Sequence, residues 1–393
     1  MKDSVTEILE RSIDKIYPSP EALEKTLREG KKLRVYLGID PTGPHLHLGH
    51  ATNLLLLKRL QNLDHEIIFL IGDFTARIGD PTDKLATRKP LTVKEIKANL
   101  KTFKTQTSKM ISFSGKNAAK VRFNSEWHDK MTFAQLIEVA HHFTVQQMIE
   151  RDMFEERLEE DKPIGLHEFL YPLMQGYDSV ALDVDMEIGG TDQTFNMLAG
   201  RKLMREMKRK EKFVMTTKLL VNPKAGNKLM NKSEGGLINL DDNAVDMFGK
   251  IMALDDTVIA SVAEFCTTMT YQEIKEMQKM KNPRDAKLIL SYKIVKLYHS
   301  EKDARKAKEN FIKTFSKKEM PEELSTLKLK AKNLKLLDLL ITAGIPSKSE
   351  ARRLIEQNAV EINGSVKNNP FEIIRLHTGD VLKIGKKKFF KIN

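Results

Sequence analysis

The stretch 33–73 limits the fold more than any other part of the chain. "LRVYLGID" (33–40) is a short apolar run ending in Gly and Asp, which reads as a buried strand. After a turn, "LGHATNLLLLKRLQNLD" carries apolar residues at helical spacing, and "HEIIFLIGD" (65–73) is a second buried strand with the same Gly-Asp ending. Strand, glycine turn, helix and strand make a βαβ unit. The N-terminal half is therefore expected to be a doubly wound, Rossmann-like α/β domain with a parallel sheet, whose ligands sit off the carboxyl ends of the strands. "YLGIDPTGPHLHLGH" (36–50) occupies one of those ends.

Further along, residues from about 95 to 160 read as mainly helical, consistent with a helical insertion at about 100–160 between two halves of the sheet. "DSVALDVDMEIGGTDQTFNMLAGRKLMRE" (178–206) returns to strand, glycine turn and helix, and "LLVNPKAGNKLMNKSEGGLINL" (219–240) is a loop rich in Gly, Asn and Lys. Helices dominate 241–320, "STLKLKAKNLK" reads as a linker, and the tail reads as two helices followed by short strands. Three domains are expected: 1–235, the α/β domain with its insertion; 236–325, helical; and 326–393, a linker with a small α+β module.

The charge is uneven. The net charge is +12, yet residues 151–192 hold three Lys/Arg against twelve Asp/Glu. Residues 201–232 hold eleven against two, and residues 331–393 hold twelve against six. Such basic stretches are either solvated surface or a face for a polyanion. Cys266 is the only cysteine, which excludes disulfide frameworks and four-thiolate zinc sites. No apolar run approaches bilayer length, and Asp3, Glu7, Glu10 and Asp14 fit neither a signal peptide nor a transit peptide. A cytoplasmic location without membrane contact is expected.

Three readings of the 36–50 turn compete. His47 and His50 are three apart, as metal ligands on a helix face can be, but no second cluster at ligand spacing accompanies them. They can equally cap or pack a strand-to-helix turn. The third reading is a nucleotide cradle. Gly49 would let a base or ribose approach the helix start, whose N–H groups favour anions, and His47, His50 and Thr42 would donate to a phosphate.

"HLGH" (47–50) after "GIDPTGPHL" resembles the HIGH signature of class I aminoacyl-tRNA synthetases, and "LMNKS" (229–233) resembles their KMSKS loop. "YLGIDPTG", "IGDPTDKLATR" (78–88), "FNSEW" (123–127), "YPLMQGYD" (171–178) and "GGTDQ" (189–193) resemble the bacterial-type tyrosyl-tRNA synthetases, over nearly the whole chain. The tail, through "SKSEARRLIEQNAVEINGSVK", resembles the S4-like RNA-binding domain that ends many of them.

That resemblance implies a division of labour among the residues. Tyr36 and Asp178 would bond the phenol of tyrosine, Tyr171, Gln175 and Asp80 would hold its ammonium, and Asn124 would belong to the same pocket. ATP would lie along Gly38, Asp40, His47, Gly49, His50, Gly190, Asp192, Lys232 and Ser233, with Asp192 and Gln193 facing the ribose and the tyrosyl end. Thr42, His47, His50, Lys84, Arg88 and Lys232 would stabilise the transferring phosphates, with Mg²⁺ bridging phosphate oxygens. Lys348, Arg352 and Arg353 would meet the backbone of tRNA(Tyr), and the insertion would form a homodimer interface.

One departure stands out. The loop signature begins with lysine in the family, but Leu229 holds that place here, with Lys228 one position earlier and Asn231 for the middle serine. Other readings remain open: a tryptophanyl enzyme, an RNA-binding protein on a synthetase scaffold without catalysis, or a small-molecule adenylyltransferase using the same cradle.

Overall fold

The computed structural model describes residues 3–82, 91–222, 226, 228–230, 236–316, 325–327, 333–385 and 388–393. Lys84, Arg88, Lys232 and Ser233 lie outside these residues. The chain divides into two compact units, Met1–Ala304 and Arg305–Asn393.

The first unit is organised by a six-stranded sheet. Its strands are β1 (Ile13–Tyr17), β2 (Arg34–Ile39), β3 (Glu66–Ile71), β4 (Lys120–Phe123), β5 (Met186–Gly190) and β6 (Phe213–Thr217). Their spatial order is β1-β6-β5-β2-β3-β4, and all neighbours are parallel except β1 with β6. From β2 the chain winds outward through β3 to β4, then crosses back to lay β5 and β6 on the other side. The winding direction reverses between β2 and β5, and a crevice opens off their carboxyl ends, where such folds bind ligands.

The expected βαβ unit is present, with the helix Leu48–Asn62 between β2 and β3. β3 and β5 are almost wholly buried, as a parallel sheet covered on both faces requires. Two helices, Leu170–Leu182 and Thr194–Lys208, pack closely on one face. A Cβ on Gly176 would come within 3.2 Å of the Gly200 backbone nitrogen, so glycine permits that approach.

The expected helical insertion needs correcting, because it contains β4. "KVRF" pairs with β3 at the sheet edge and is only partly buried. An edge strand with one covered side needs no apolar run, so its sequence lacks the usual strand signal. Helices Ala244–Met252, Ile259–Cys266, Tyr271–Gln278 and Pro283–Tyr298 complete this unit. The Cys266 thiol faces the Leu48 carbonyl at 3.3 Å. The buried Arg11 guanidinium donates to the carbonyls of Glu264, Thr267 and Met269, satisfying the end of the Ile259–Cys266 helix.

In the second unit, helices Leu336–Thr342 and Lys348–Glu356 share a core with short strands, built on Leu336, Leu339, Leu340, Ile355, Val360 and Leu382. The stretch expected to be a linker contributes to this module. Ser325–Leu327 pairs with Lys388–Ile392, and Asn333–Lys335 pairs with Ile373–Arg375. The two strands from this stretch are only three residues long, hence unrecognisable as strands before their partners are known.

Candidate active site

A cavity of about 430 Å³ opens at the β2/β5 crevice, within the size range of small-molecule sites. Of the expected residues, Tyr36, Gly38, Asp40, Thr42, His47, Gly49, His50, Asp80, Tyr171, Gln175, Asp178, Gly190, Asp192 and Gln193 line it. Segments as distant as 36–50 and 171–193 are brought onto one wall.

The histidines are held by the start of their own helix. His47 is the N-cap of Leu48–Asn62, and its Nδ1 accepts the Gly49 N–H at 3.2 Å. His50 Nδ1 accepts the His47 N–H at 3.1 Å, and the ring centroids stand 4.1 Å apart. Both Nδ1 atoms are acceptors, so each ring carries its proton on Nε2. A Cβ on Gly49 would lie 3.0 Å from the His47 ring, so a larger residue there would press on the capping side chain. The capping and cradle readings of this turn are thus compatible. His45, the third histidine, pairs with Asp241 at 2.8 Å. Among the described residues, no group of three or more His, Cys, Asp or Glu could hold a metal ion.

At the opposite end, buried polar groups are tightly cross-bonded. Asp178 Oδ1 accepts from Trp127 Nε1 at 2.9 Å and faces His128 Nε2 at 2.8 Å, while Oδ2 accepts from Asn124 Nδ2 at 3.3 Å. Burial pushes the Asp178 carboxyl above its ordinary value, with these donors opposing. The Tyr36 hydroxyl meets Ser179 Oγ at 3.0 Å. Burial, with Glu187 and Asp178 nearby, raises the Tyr36 phenol well above its usual value and keeps it protonated.

Between these ends lie further carboxylates. Asp40 accepts from Thr75 Oγ1 at 2.7 Å and from the Tyr171 hydroxyl at 3.0 Å. Burial, with some help from Asp80, pushes the Asp40 carboxyl up to about 7. A Cβ on Gly72 would fall 1.9 Å from Asp40 Oδ1, so the Gly-Asp ending of β3 makes room for the Gly-Ile-Asp ending of β2. Asp80 accepts from Gln193 Nε2 at 2.7 Å and from the Thr82 N–H at 3.0 Å. Gln175 Nε2 donates to Glu187 at 3.2 Å, which turns its Oε1 away; that oxygen is buried without a hydrogen-bond partner among the described residues. Lys228 also stands on the wall and donates to Asp192 at 2.6 Å.

Asn124 is placed differently from the expectation. It is fully buried behind the wall, where it accepts the Phe74 N–H and donates to Thr75 and Asp178. Sequence reasoning missed Asn53, Thr75 and Glu187, all on the wall. Two carried a signal. Asn53 follows His50 by three residues on the same helix face, and Glu187 is an isolated charge in the apolar strand "MEIGG". Lys348, Arg352 and Arg353 lie on the Lys348–Glu356 helix of the second unit, all exposed, with Arg352 over the Phe371 ring at 5.6 Å.

The fold and this cavity define a class of protein. Residues 28–316 match the tRNA synthetases of class I (W and Y). In fold, the chain is similar to a C-terminally truncated mitochondrial tyrosyl-tRNA synthetase from Aspergillus nidulans, with a TM-score of 0.68 and 22% identity over 80% of this chain and 95% of that one. It is also similar to the Archaeoglobus fulgidus tyrosyl-tRNA synthetase complexed with L-tyrosine, with a TM-score of 0.60 and 21% identity over 78% of this chain and all of that one. Residues 316–392 match the C-terminal domain of SYY-like tyrosine–tRNA ligases. The chain is 42% identical to the tyrosine–tRNA ligase of Thermotoga maritima, over 98% of this chain and 96% of that one. It is 41% identical to that of Aquifex aeolicus, over all of this chain and 97% of the other. The chain belongs to the tyrosine–tRNA ligase family of class I aminoacyl-tRNA synthetases.

Proposed function

We propose that this chain activates L-tyrosine with ATP and transfers it to the 3′-terminal adenosine of tRNA(Tyr), with both steps in the cavity at β2 and β5. One observation carries the reading: the buried polar pair Tyr36 and Asp178 and the helix-start pair His47 and His50 line the same cavity. In the first step the tyrosine carboxylate attacks the α-phosphorus of ATP. A P–O bond forms to the tyrosine, the bond to pyrophosphate breaks, and tyrosyl-adenylate remains. In the second, a ribose hydroxyl of the tRNA attacks the activated carbonyl and AMP leaves. No protein nucleophile is needed, so the side chains orient the reactants and neutralise charge.

The phenol donates to Asp178 and accepts from Tyr36. A phenylalanine side chain would leave the outward proton of Tyr36 and the remaining acceptor site of Asp178 buried without a partner, at a cost of about 1–3 kcal/mol each. The ammonium sits among Asp80, Tyr171 and the open Oε1 of Gln175. Asp192 and Gln193 face the ribose and tyrosyl end, while Gly38, Asp40, Gly49 and Gly190 border the nucleotide. His47 and His50 donate through Nε2–H to the polyphosphate beside the helix N-terminus, joined by Thr42. Lys84, Arg88, Lys232 and Ser233 supply the remaining contacts to phosphate. Lys228, which already reaches the wall at Asp192, shares the role that the shifted loop signature left open. Mg²⁺ accompanying ATP would supply charge neutralisation at the polyphosphate beside His47, His50 and Thr42; among the described residues no group of three or more His, Cys, Asp or Glu could hold it.

Lys348, Arg352 and Arg353 meet the tRNA backbone, and the location that goes with this reading is the cytoplasm. Among the described residues, no helix is long and apolar enough to cross a membrane. The insertion exposes Phe133, Ile137, Val145 and Leu158, which supports its burial in a homodimer with one tRNA bridging both subunits. Tyrosine-, tryptophan- and phenylalanine-dependent ATP–pyrophosphate exchange tests the reading. Tyrosine alone should drive exchange efficiently, and exchange driven by tryptophan instead would overturn the specificity.

A further inference from the structure

Behind Tyr36 lies a buried ion pair that the proposed reaction does not use. Lys212, just before β6, is fully buried and pairs with Glu187 of β5. Its ammonium also donates to Ser179 Oγ at 2.8 Å. Ser179 Oγ in turn meets the Tyr36 hydroxyl at 3.0 Å and Glu187 at 3.5 Å. Room for this cluster comes from Gly200, where a Cβ would lie 2.6 Å from Lys212 Nζ and 2.7 Å from Ser179 Oγ.

The chemistry of the donors gives the cluster a direction. An ammonium only donates, so Ser179 Oγ must accept from Lys212. The single Ser179 proton has two acceptors, Glu187 at 3.5 Å and the Tyr36 oxygen at 3.0 Å; with Glu187 already paired to Lys212, the shorter contact takes it, so Ser179 donates to Tyr36. With its acceptor capacity engaged, Tyr36 points its own proton outward to the cavity. At the far side, an ionised Asp178 can only accept. A phenol inserted between Tyr36 and Asp178 closes a one-way chain, in which Lys212 donates to Ser179, Ser179 to Tyr36, Tyr36 to the phenol, and the phenol to Asp178. Without Lys212, the Ser179 and Tyr36 hydroxyls could reverse, and the phenol oxygen would meet a lone pair instead of a proton.

We propose that Ser179 and Lys212 are positioning residues that determine specificity, by fixing the Tyr36 hydroxyl as a donor to the substrate phenol. This rests on the assignment of Tyr36 and Asp178 to the phenol, and the test separates the two. The measurement is the ratio of kcat/KM for tyrosine to that for phenylalanine in ATP–pyrophosphate exchange, on the full chain. Ser179→Ala removes the middle of the chain with little change in volume. It should lower the ratio about tenfold by weakening tyrosine alone, the scale of one hydrogen bond at a buried site. Lys212→Met alone strands Glu187 as an unpaired buried charge, so Lys212→Met/Glu187→Gln is paired with it and should lower the ratio similarly.

Tyr36→Phe serves as the reference. If it lowers the ratio while Ser179→Ala leaves it unchanged, or lowers both substrates equally, the positioning role is wrong and the phenol assignment stands. If Tyr36→Phe itself leaves the ratio unchanged, the phenol assignment falls and the relay falls with it. Should the double variant fail to fold, the Ser179→Ala ratio decides alone.

Discussion

At one end of the cavity Asp178 is held by Trp127, His128 and Asn124, three side chains drawn from a single turn of the chain after β4. At the other end His47 and His50 take their orientation from backbone N–H groups of one helix start. The contrast fits what each end is proposed to recognise. A neutral phenol differs from an unsubstituted ring by a single hydroxyl, so discrimination demands a counted, fully desolvated set of donors and acceptors. A polyphosphate offers many equivalent oxygens and a charge that grows during transfer. There, oriented dipoles and cations serve better than a fitted wall.

The largest effect expected is at the phosphate end. His47→Ala should lower the rate of adenylate formation about 10²–10³-fold, the usual range for losing an oriented donor, with tyrosine affinity in equilibrium binding nearly unchanged. His47→Asn retains an acceptor for the Gly49 N–H. It should recover the melting temperature but not the rate, separating the cap from the donor. Parallel loss of tyrosine binding would erase the distinction between the two ends.

Asp178→Asn should act in the reverse sense. Exchange kinetics should show kcat/KM for tyrosine falling about 10–100-fold, with KM for ATP little altered. An equal rise in KM for ATP would mean that the two ends do not recognise separate substrates. Smaller still is the effect expected from Lys348→Ala/Arg352→Ala/Arg353→Ala. Tyrosine-dependent exchange should persist, while the log–log salt dependence of tRNA binding becomes shallower by about 3, about one per phosphate contact. An unchanged slope would remove these residues from the RNA contact.

The smallest effect concerns Asp40, midway between the ends. Its carboxyl is raised to about 7 in the fold from an ordinary value near 3.8, so between these values the folded chain holds a proton that the unfolded chain has lost. Its contribution is therefore fully present below about pH 4 and is lost as pH rises through about 7. The melting temperature of Asp40→Asn relative to the parent should thus climb by about 5–10 °C between these limits. A flat difference across that range would show that Asp40 is not held in a desolvated setting.

Much of this was readable in advance where the signal was local. The runs in β2 and β3, their Gly-Asp endings and the His-x-x-His helix start gave the local topology and put His47 and His50 at a helix start on the cavity, directly from short stretches. β1 and β4 escaped notice because edge strands are covered on one side and carry polar residues. Asn124 was matched to the right neighbourhood but the wrong layer, since a motif does not say whether an amide faces the substrate or the carboxylate that does. The Glu187–Lys212 pair spans 25 residues and two strands, and only the assembled sheet brings it under Tyr36. Lone charges in apolar strands are the trace such pairs leave in a sequence.

The reciprocal clasp of His47 and His50 has a broader implication. The rings proposed to face the phosphates are also the groups that define where a fifteen-residue helix begins. Helix registry and proton placement are therefore one variable in this protein. Any substitution that slides the first turn by a fraction of an ångström also turns two imidazole N–H vectors, so evolution could tune turnover here from residues that never approach a nucleotide.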